Sequence, residues 1–335
     1  MKSVYKLFVI LVLAALISFS FAACNNPTSS GGGGTTEIKV EGPTLVTLAD
    51  KLNWLDTNAE SDTAYVIEVT ADEPTFAPWV LSYPAGVSIR LKGSGSSRTI
   101  RLSTNGSLFT VYSGVTLILD NNINLVGKAG NDSALVYVDG ILIMNSGATI
   151  SGNTNSDVGG GGVLDRGTFT MNGGTITYNH NDNGSGGGVV ITNNATFTMS
   201  GGEISNNTAY YGGGVAVESG TFTMSGKAKI SGNTTSGFGG GVLVYDKFTM
   251  NGGTIASNAA GYSGGGVCIN NPGTFTKNRG TIYGSNGGAN SNTASLGGHA
   301  VYANVGGTTK SRDTTSTGTL TCDPNGPVFT GEWDN

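Results

Sequence analysis

Between positions 105 and 300 the chain repeats itself with a period of about 26 residues. Runs of glycine lead into valine at Val163, Val189, Val215, Val242 and Val267, at intervals of 26, 26, 27 and 25. A Thr-Phe-Thr-Met tetrad, or a close variant, places Phe169, Phe197, Phe222, Phe248 and Phe275 at 28, 25, 26 and 27. A lone isoleucine follows at Ile150, Ile176, Ile204, Ile230, Ile255 and Ile282. Shortly after each comes an asparagine: Asn153, Asn179, Asn207, Asn233, Asn258 and Asn286. Several markers on one period mean one supersecondary unit copied in series, which cannot bury its own apolar face and must stack on its neighbours.

Each unit reads as short strands. In Gly214-Val215-Ala216-Val217 the valines recur at spacing two, and in Thr221-Phe222-Thr223-Met224 the two Thr share the face opposite Phe and Met. Period two is a strand with one buried face. Gly and Asn clusters supply the corners, and stacked Asn side chains can bond along a ladder. About three strands in each period predict an all-β fold, a right-handed single-stranded parallel β-helix (a solenoid) over residues 38–302. A propeller is excluded, because its blades need about 40–45 residues. Weaker copies extend the period upstream, where Leu135-Val136-Tyr137-Val138 answers Leu108-Phe109-Thr110-Val111. About nine coils result, a rod of roughly 40 Å at the usual strand spacing. Leu45, Leu48, Leu52 and Leu55 have helical spacing and predict a short N-terminal capping helix over Leu45–Leu55. Residues 303–335 lose the repeat and read as a C-terminal cover or partly disordered tail.

The chain opens on Lys2 and Lys6, then an apolar run that ends in Phe21-Ala22-Ala23-Cys24. A charged start, an apolar stretch and small residues form a secretory signal, here 1–23, with an uncleaved membrane anchor as the alternative reading. The tetrad at the cut resembles the lipobox of bacterial lipoproteins, which implies lipidation of Cys24. Residues 24–37 carry Gly31 to Gly34 among Ser and Thr and cannot bury a core, so they read as a flexible tether. The expected localisation is export with a lipid anchor in a bacterial membrane, at the outer membrane or cell surface.

Composition narrows the partners. Lys and Arg total 17 against 22 Asp and Glu, which argues against nucleic acid, whose phosphates need clustered cations. Three Cys are too few for a disulfide scaffold. Export permits a disulfide between Cys268 and Cys322, with two free thiols as the alternative. Two His, no GxxxxGKT and no GGxGxD pattern leave no cofactor or metal expected.

The GGGV-x-V and GTFTM-x-GGxI-S-x-N-T units resemble those of bacterial right-handed β-helix surface proteins, the polymorphic outer-membrane and adhesin group, and more distantly the pectin-lyase-like superfamily. That resemblance implies surface exposure and leaves activity open, since the fold also carries lyases and hydrolases. The lyases among them use acidic clusters with an Arg or Lys base. The candidates here are Asp139 and Asp165, one period apart and expected to stack near Arg166, with Asp246 on the same corner. Solvated corners are the plainer reading. Corner aromatics Tyr178, Tyr210, Tyr211, Phe238 and Tyr262 are the binding candidates, suited to stacking a sugar, anchoring a protein or shielding the corner. The outward Thr pairs resemble the flat Thr arrays of ice-binding surfaces, with Lys247 interrupting the row. The expected function is a non-enzymatic surface lipoprotein that binds a glycan or an extracellular protein. A polysaccharide lyase or glycoside hydrolase, and a structural spacer without ligand, are the alternatives.

Overall fold

A computed structural model describes residues 37–157, 159–285, 287–305, 308–312, 318–323 and 326–330. The signal, Cys24 and the Gly-rich run lie outside these residues. One coil shows how the repeat folds. Val215–Val217, Gly220–Met224, Lys229–Ser231 and Thr234–Thr235 are strands separated by tight corners. The coil therefore holds four strands where the sequence predicts about three. The fourth is only two residues long, too short to show an alternation. Each strand pairs in parallel with its counterpart one repeat away: Val189↔Val215↔Val242, Phe197↔Phe222↔Phe248 and Ile204↔Ile230↔Ile255. The V-x-V strands form a sheet of nine parallel members from Trp79–Leu81 to Val301–Val305, so the chain is a parallel β-solenoid of about nine turns.

Stacking turns each inward residue into a column. Phe169, Phe197, Phe222, Phe248 and Phe275 stack face to face, with centroids 4.5, 4.8, 4.6 and 4.9 Å apart. One buried cluster runs from Val40 to Ala303. A single coil exposes all of this surface; only the stack removes it from water.

Asparagines form a second column. The side chain of Asn131 donates to Asn153 Oδ1 at 3.0 Å, and Asn179, Asn207, Asn233 and Asn258 each donate to the next asparagine at 2.9–3.1 Å, ending at Asn292. Each is at most 1% exposed. The same Nδ2 groups reach strand carbonyls such as Ile204 O, so the corner's backbone is satisfied inside the protein. The column's last member is Asn292 rather than the expected Asn286, because the chain carries an insertion here with a 3₁₀ turn at Gly288–Asn290. Asn286 lies outside the described residues.

Glycine runs let the corner loop fold back over the V-x-V strands. A Cβ on Gly213 would sit 2.6 Å from Thr234 O and 2.7 Å from Gly240 O, so no side chain fits. The preceding Gly212 has φ +58° and lies against Ala216 and Leu243. The middle residues of these strands, Ala216, Leu243 and Cys268, are fully buried as a result. Cys268 stands on the outward side between the core residues Val267 and Ile269, where the sequence places it, and Gly264 packs over it. The side chain of Cys322 lies outside the described ones.

The α-helix spans Leu48–Asn58, starting three residues later than the sequence suggests. Thr47 is its N-cap and Asp50 closes a capping box, while Gly42 to Leu45 forms a turn. Leu48, Leu52 and Leu55 are buried in the same cluster as Tyr65 and Ile67. At the other end Thr308–Arg312 pairs antiparallel with Val301–Val305, and Gly318–Asp323 pairs antiparallel with the start of Thr274–Ile282. Antiparallel strands cannot continue a solenoid, and the parallel repeat stops there.

Candidate functional site

The residue immediately after each V-x-V strand stands at one corner of the coil, its backbone still in the parallel ladder. In order these are Asp139, Arg166, Thr192, Glu218, Tyr245 and Asn270, one per coil. Facing this file, across the outer side of the V-x-V sheet, is the corner loop that precedes each strand. Between the two walls lie two adjoining open depressions of about 750 and 540 Å³, which share Ser185, Tyr211 and Glu218. The larger is lined also by Ser219, Tyr245, Asp246 and Pro272. The smaller adds Arg166, Asn183, Thr192 and Asn193, with Leu164 and Val190 on its apolar side. Together they form a groove that runs from the coil of Arg166 to that of Pro272.

Aromatic rings stack along the loop wall. Tyr211 lies parallel to Phe238 at 6.2 Å, Phe238 meets Tyr262 at 5.4 Å, and Tyr210 packs edge-on against Tyr211 at 4.5 Å. Four of the five candidate aromatics thus form one contiguous group. Burial and the neighbouring Tyr210 push the Tyr211 phenol above its ordinary pKa. Tyr178 does not join them. It sits in the left-handed corner just before the asparagine column, φ +53°, 68% exposed. Its place in the repeat is that of Gly152, Asn206 and Gly232, so the sequence groups two different corners.

The catalytic candidates separate as well. Asp139 and Arg166 do meet: the guanidinium is 3.6 Å from the Asp139 carboxylate, lies over the Tyr137 ring and donates to its hydroxyl. Asp165 does not stack with Asp139. It pairs with Val138 and Ile191 and points into the core. Alternation explains this, because adjacent strand residues face opposite sides and a nominal period does not preserve parity when corner lengths vary. Asp165 Oδ1 accepts the Gly167 N–H at 3.1 Å, and among the described residues Oδ2 has no partner. Burial pushes its pKa up to about 7, offset in part by the Gly167 bond. Asp246 is at the corner as expected, where its Oδ2 accepts the Gly220 N–H at 2.7 Å.

The outward Thr residues align from coil to coil. Thr170, Thr198, Thr223, Thr249 and Thr276 pair in one unbroken file, and Lys247 interrupts the parallel file of Thr168, Thr196, Thr221 and Thr274. Among the described residues no three metal-ligating side chains gather, and no helix is long and apolar enough to cross a membrane.

Sequence reading missed Tyr245 and Glu218 as wall residues. The available signal was their shared register, directly after V-x-V, which aligned repeats display. What no alignment displays is that this register faces the Tyr211 loop. The fold and groove place the chain in the class of parallel β-solenoids with an elongated surface groove. Comparison with protein-family models, with curated proteins and with solved structures found no match.

Proposed function

We propose that this chain is an exported β-helix rod, held to a bacterial membrane through a lipid on Cys24, that binds a glycan strand lengthwise in the groove without cleaving it. The single observation that carries this is the groove itself: the Tyr211 ring, stacked on Phe238 behind it, on one wall and Tyr245 on the other, with neutral and charged hydrogen-bonding side chains along it. Sugar rings present apolar C–H faces that pack on aromatic rings, and hydroxyls that need convergent donors and acceptors. Tyr211 and Tyr245 offer the first; Asn183, Ser185, Thr192 and Asn193 offer the second. A groove that crosses several coils suits a polymer better than a single small molecule.

The anchor rests on the lipobox-like Phe21-Ala22-Ala23-Cys24 and the Gly-rich stretch after it. Several buried acyl chains would hold the protein stably, at about 0.8 kcal/mol per methylene. The test is retention of the 37–335 chain on an immobilised polysaccharide array, scored beside product analysis for new chain ends. Retention with intact glycan, lost in Tyr211→Ala with Tyr262→Ala, is the expected result. New chain ends would move the reading to a lyase or hydrolase. No retention would leave a spacer. Palmitate incorporation that disappears in Cys24→Ser tests the anchor separately.

A further inference from the structure

The groove wall that follows the V-x-V strands is straight. Its backbone continues the V-x-V ladder, which runs in register from the strand of Val138 to that of Ile269 without a bulge. The two other sheets carry register shifts, between Asn181 and Ser185 and between Met250 and Thr254. The wall therefore advances by one side chain per coil, perpendicular to the strands: Arg166, Thr192, Glu218, Tyr245 and Asn270. Five coils make four steps of about 4.8 Å, a length of roughly 19 Å. Asn270 holds Tyr245 in this file, its Nδ2 donating to the phenol oxygen at 3.2 Å. The facing loop wall is irregular. His180–Ser185 bulges against Thr208–Tyr211, and Asn183 and Ser185 from the bulge line the smaller depression. The groove thus pairs a periodic wall with a variable one.

A polymer that follows a straight periodic wall must itself be straight and must repeat at nearly the coil spacing. Pyranose rings joined through equatorial bonds meet both needs. Their linking bonds leave each ring at opposite ends and nearly in line, so the chain is an extended ribbon whose unit advances by close to one strand spacing, about 4.8 Å. An axial bond at one end turns each unit against the last and winds the chain into a helix, which leaves a straight wall within a few units. We propose that the groove takes a glycan of the β-1,4-linked ribbon class, one sugar unit to a coil over five coils. This rests on the reading of the groove as a glycan site and adds linkage and length to it. The two flat C–H faces of a ribbon suit a groove with a ring on each wall, Tyr211 and Tyr245. The hydrogen-bonded ladder already has the bound shape, so a straight ligand loses little in ordering either partner.

The experiment is calorimetric titration of the full-length chain in detergent with three oligomer series, each from dimer to hexamer: β-1,4-linked glucose, β-1,4-linked N-acetylglucosamine and α-1,4-linked glucose. The expected result is that a β-linked hexamer binds about ten-fold tighter than the α-linked one or better. Its affinity should rise with each added unit and level off at the fifth, the number of coils in the wall. Tyr245→Ala removes the fourth side chain of the file and should bring the levelling-off down to the third unit, with an unchanged thermal midpoint to verify its fold. The length series on the unaltered protein decides the question without the variant. Equal binding of α- and β-linked hexamers overturns the ribbon and leaves the glycan reading standing, and so does an affinity that is already level at the dimer or trimer. No binding of any series, with retention of some other polysaccharide on the array, overturns the ribbon alone. No binding and no retention overturn both.

Discussion

Asp165 gives the sharpest physical test of this fold. Its column runs Val111, Val138, Asp165, Ile191, Val217, Val244 and Ile269, so one carboxyl replaces an aliphatic side chain in the core. The carboxyl titrates near 3.8 in the unfolded chain and about 7 in the folded one, with burial as the main cause. Between those two values the folded state binds one more proton than the unfolded state. Stability contributed by the neutral carboxyl is therefore complete below pH 4, falls as pH rises through the interval, and levels off above 7. Three pH units at about 1.4 kcal/mol each put the loss at about 4 kcal/mol. Asp165→Asn keeps an oxygen for the Gly167 N–H and has no charge to develop. Urea midpoints of both proteins at pH 4.5 and 7.5 read the effect. The wild type should lose stability between these values relative to the variant, whose difference profile isolates this one group from the other carboxylates. Parallel profiles for the two proteins would refute the reasoning, and so would a wild type that gains on the variant as pH rises.

Three further substitutions probe the stack. Phe222→Ala removes a ring stacked on both sides, at 4.8 and 4.6 Å, and should cost about 3–5 kcal/mol in chemical denaturation. Asn233→Ala removes the acceptor of Asn207's donors and the donor to Ile204 O, all fully buried; about 3 kcal/mol of lost stability is expected, measured the same way. Gly213→Ala pushes a Cβ to within 2.7 Å of two carbonyl oxygens, one of them in the next coil, and should lower the thermal midpoint far more than a Gly→Ala change at the open Gly130.

The solenoid was legible because every coil repeats the same chemistry. Phe197, Phe222 and Phe248 are neighbours in space for the same reason that they are one period apart in sequence. The candidate groove was only half legible. Tyr210, Tyr211, Phe238 and Tyr262 stood out as aromatics at one point of the repeat and do cluster. Tyr178 had the same residue type at a different corner, and composition alone could not separate the two. Asp165 looked like a partner for Asp139 one period away, yet it faces the core.

The sequence by itself determined the parallel solenoid, its coil number and its inward columns, since a repeat of this length with alternating apolar residues leaves water only by stacking. The tertiary structure decided the rest. Glycine runs fold each corner loop back over the V-x-V strand, which buries Cys268 and sets Tyr211 and Tyr245 in the lining of one hollow. The hand-over from strand to corner decides whether a carboxylate meets solvent or the core, as Asp246 and Asp165 show. Both outcomes turn on backbone path and on single-residue parity, and a repeat period carries neither.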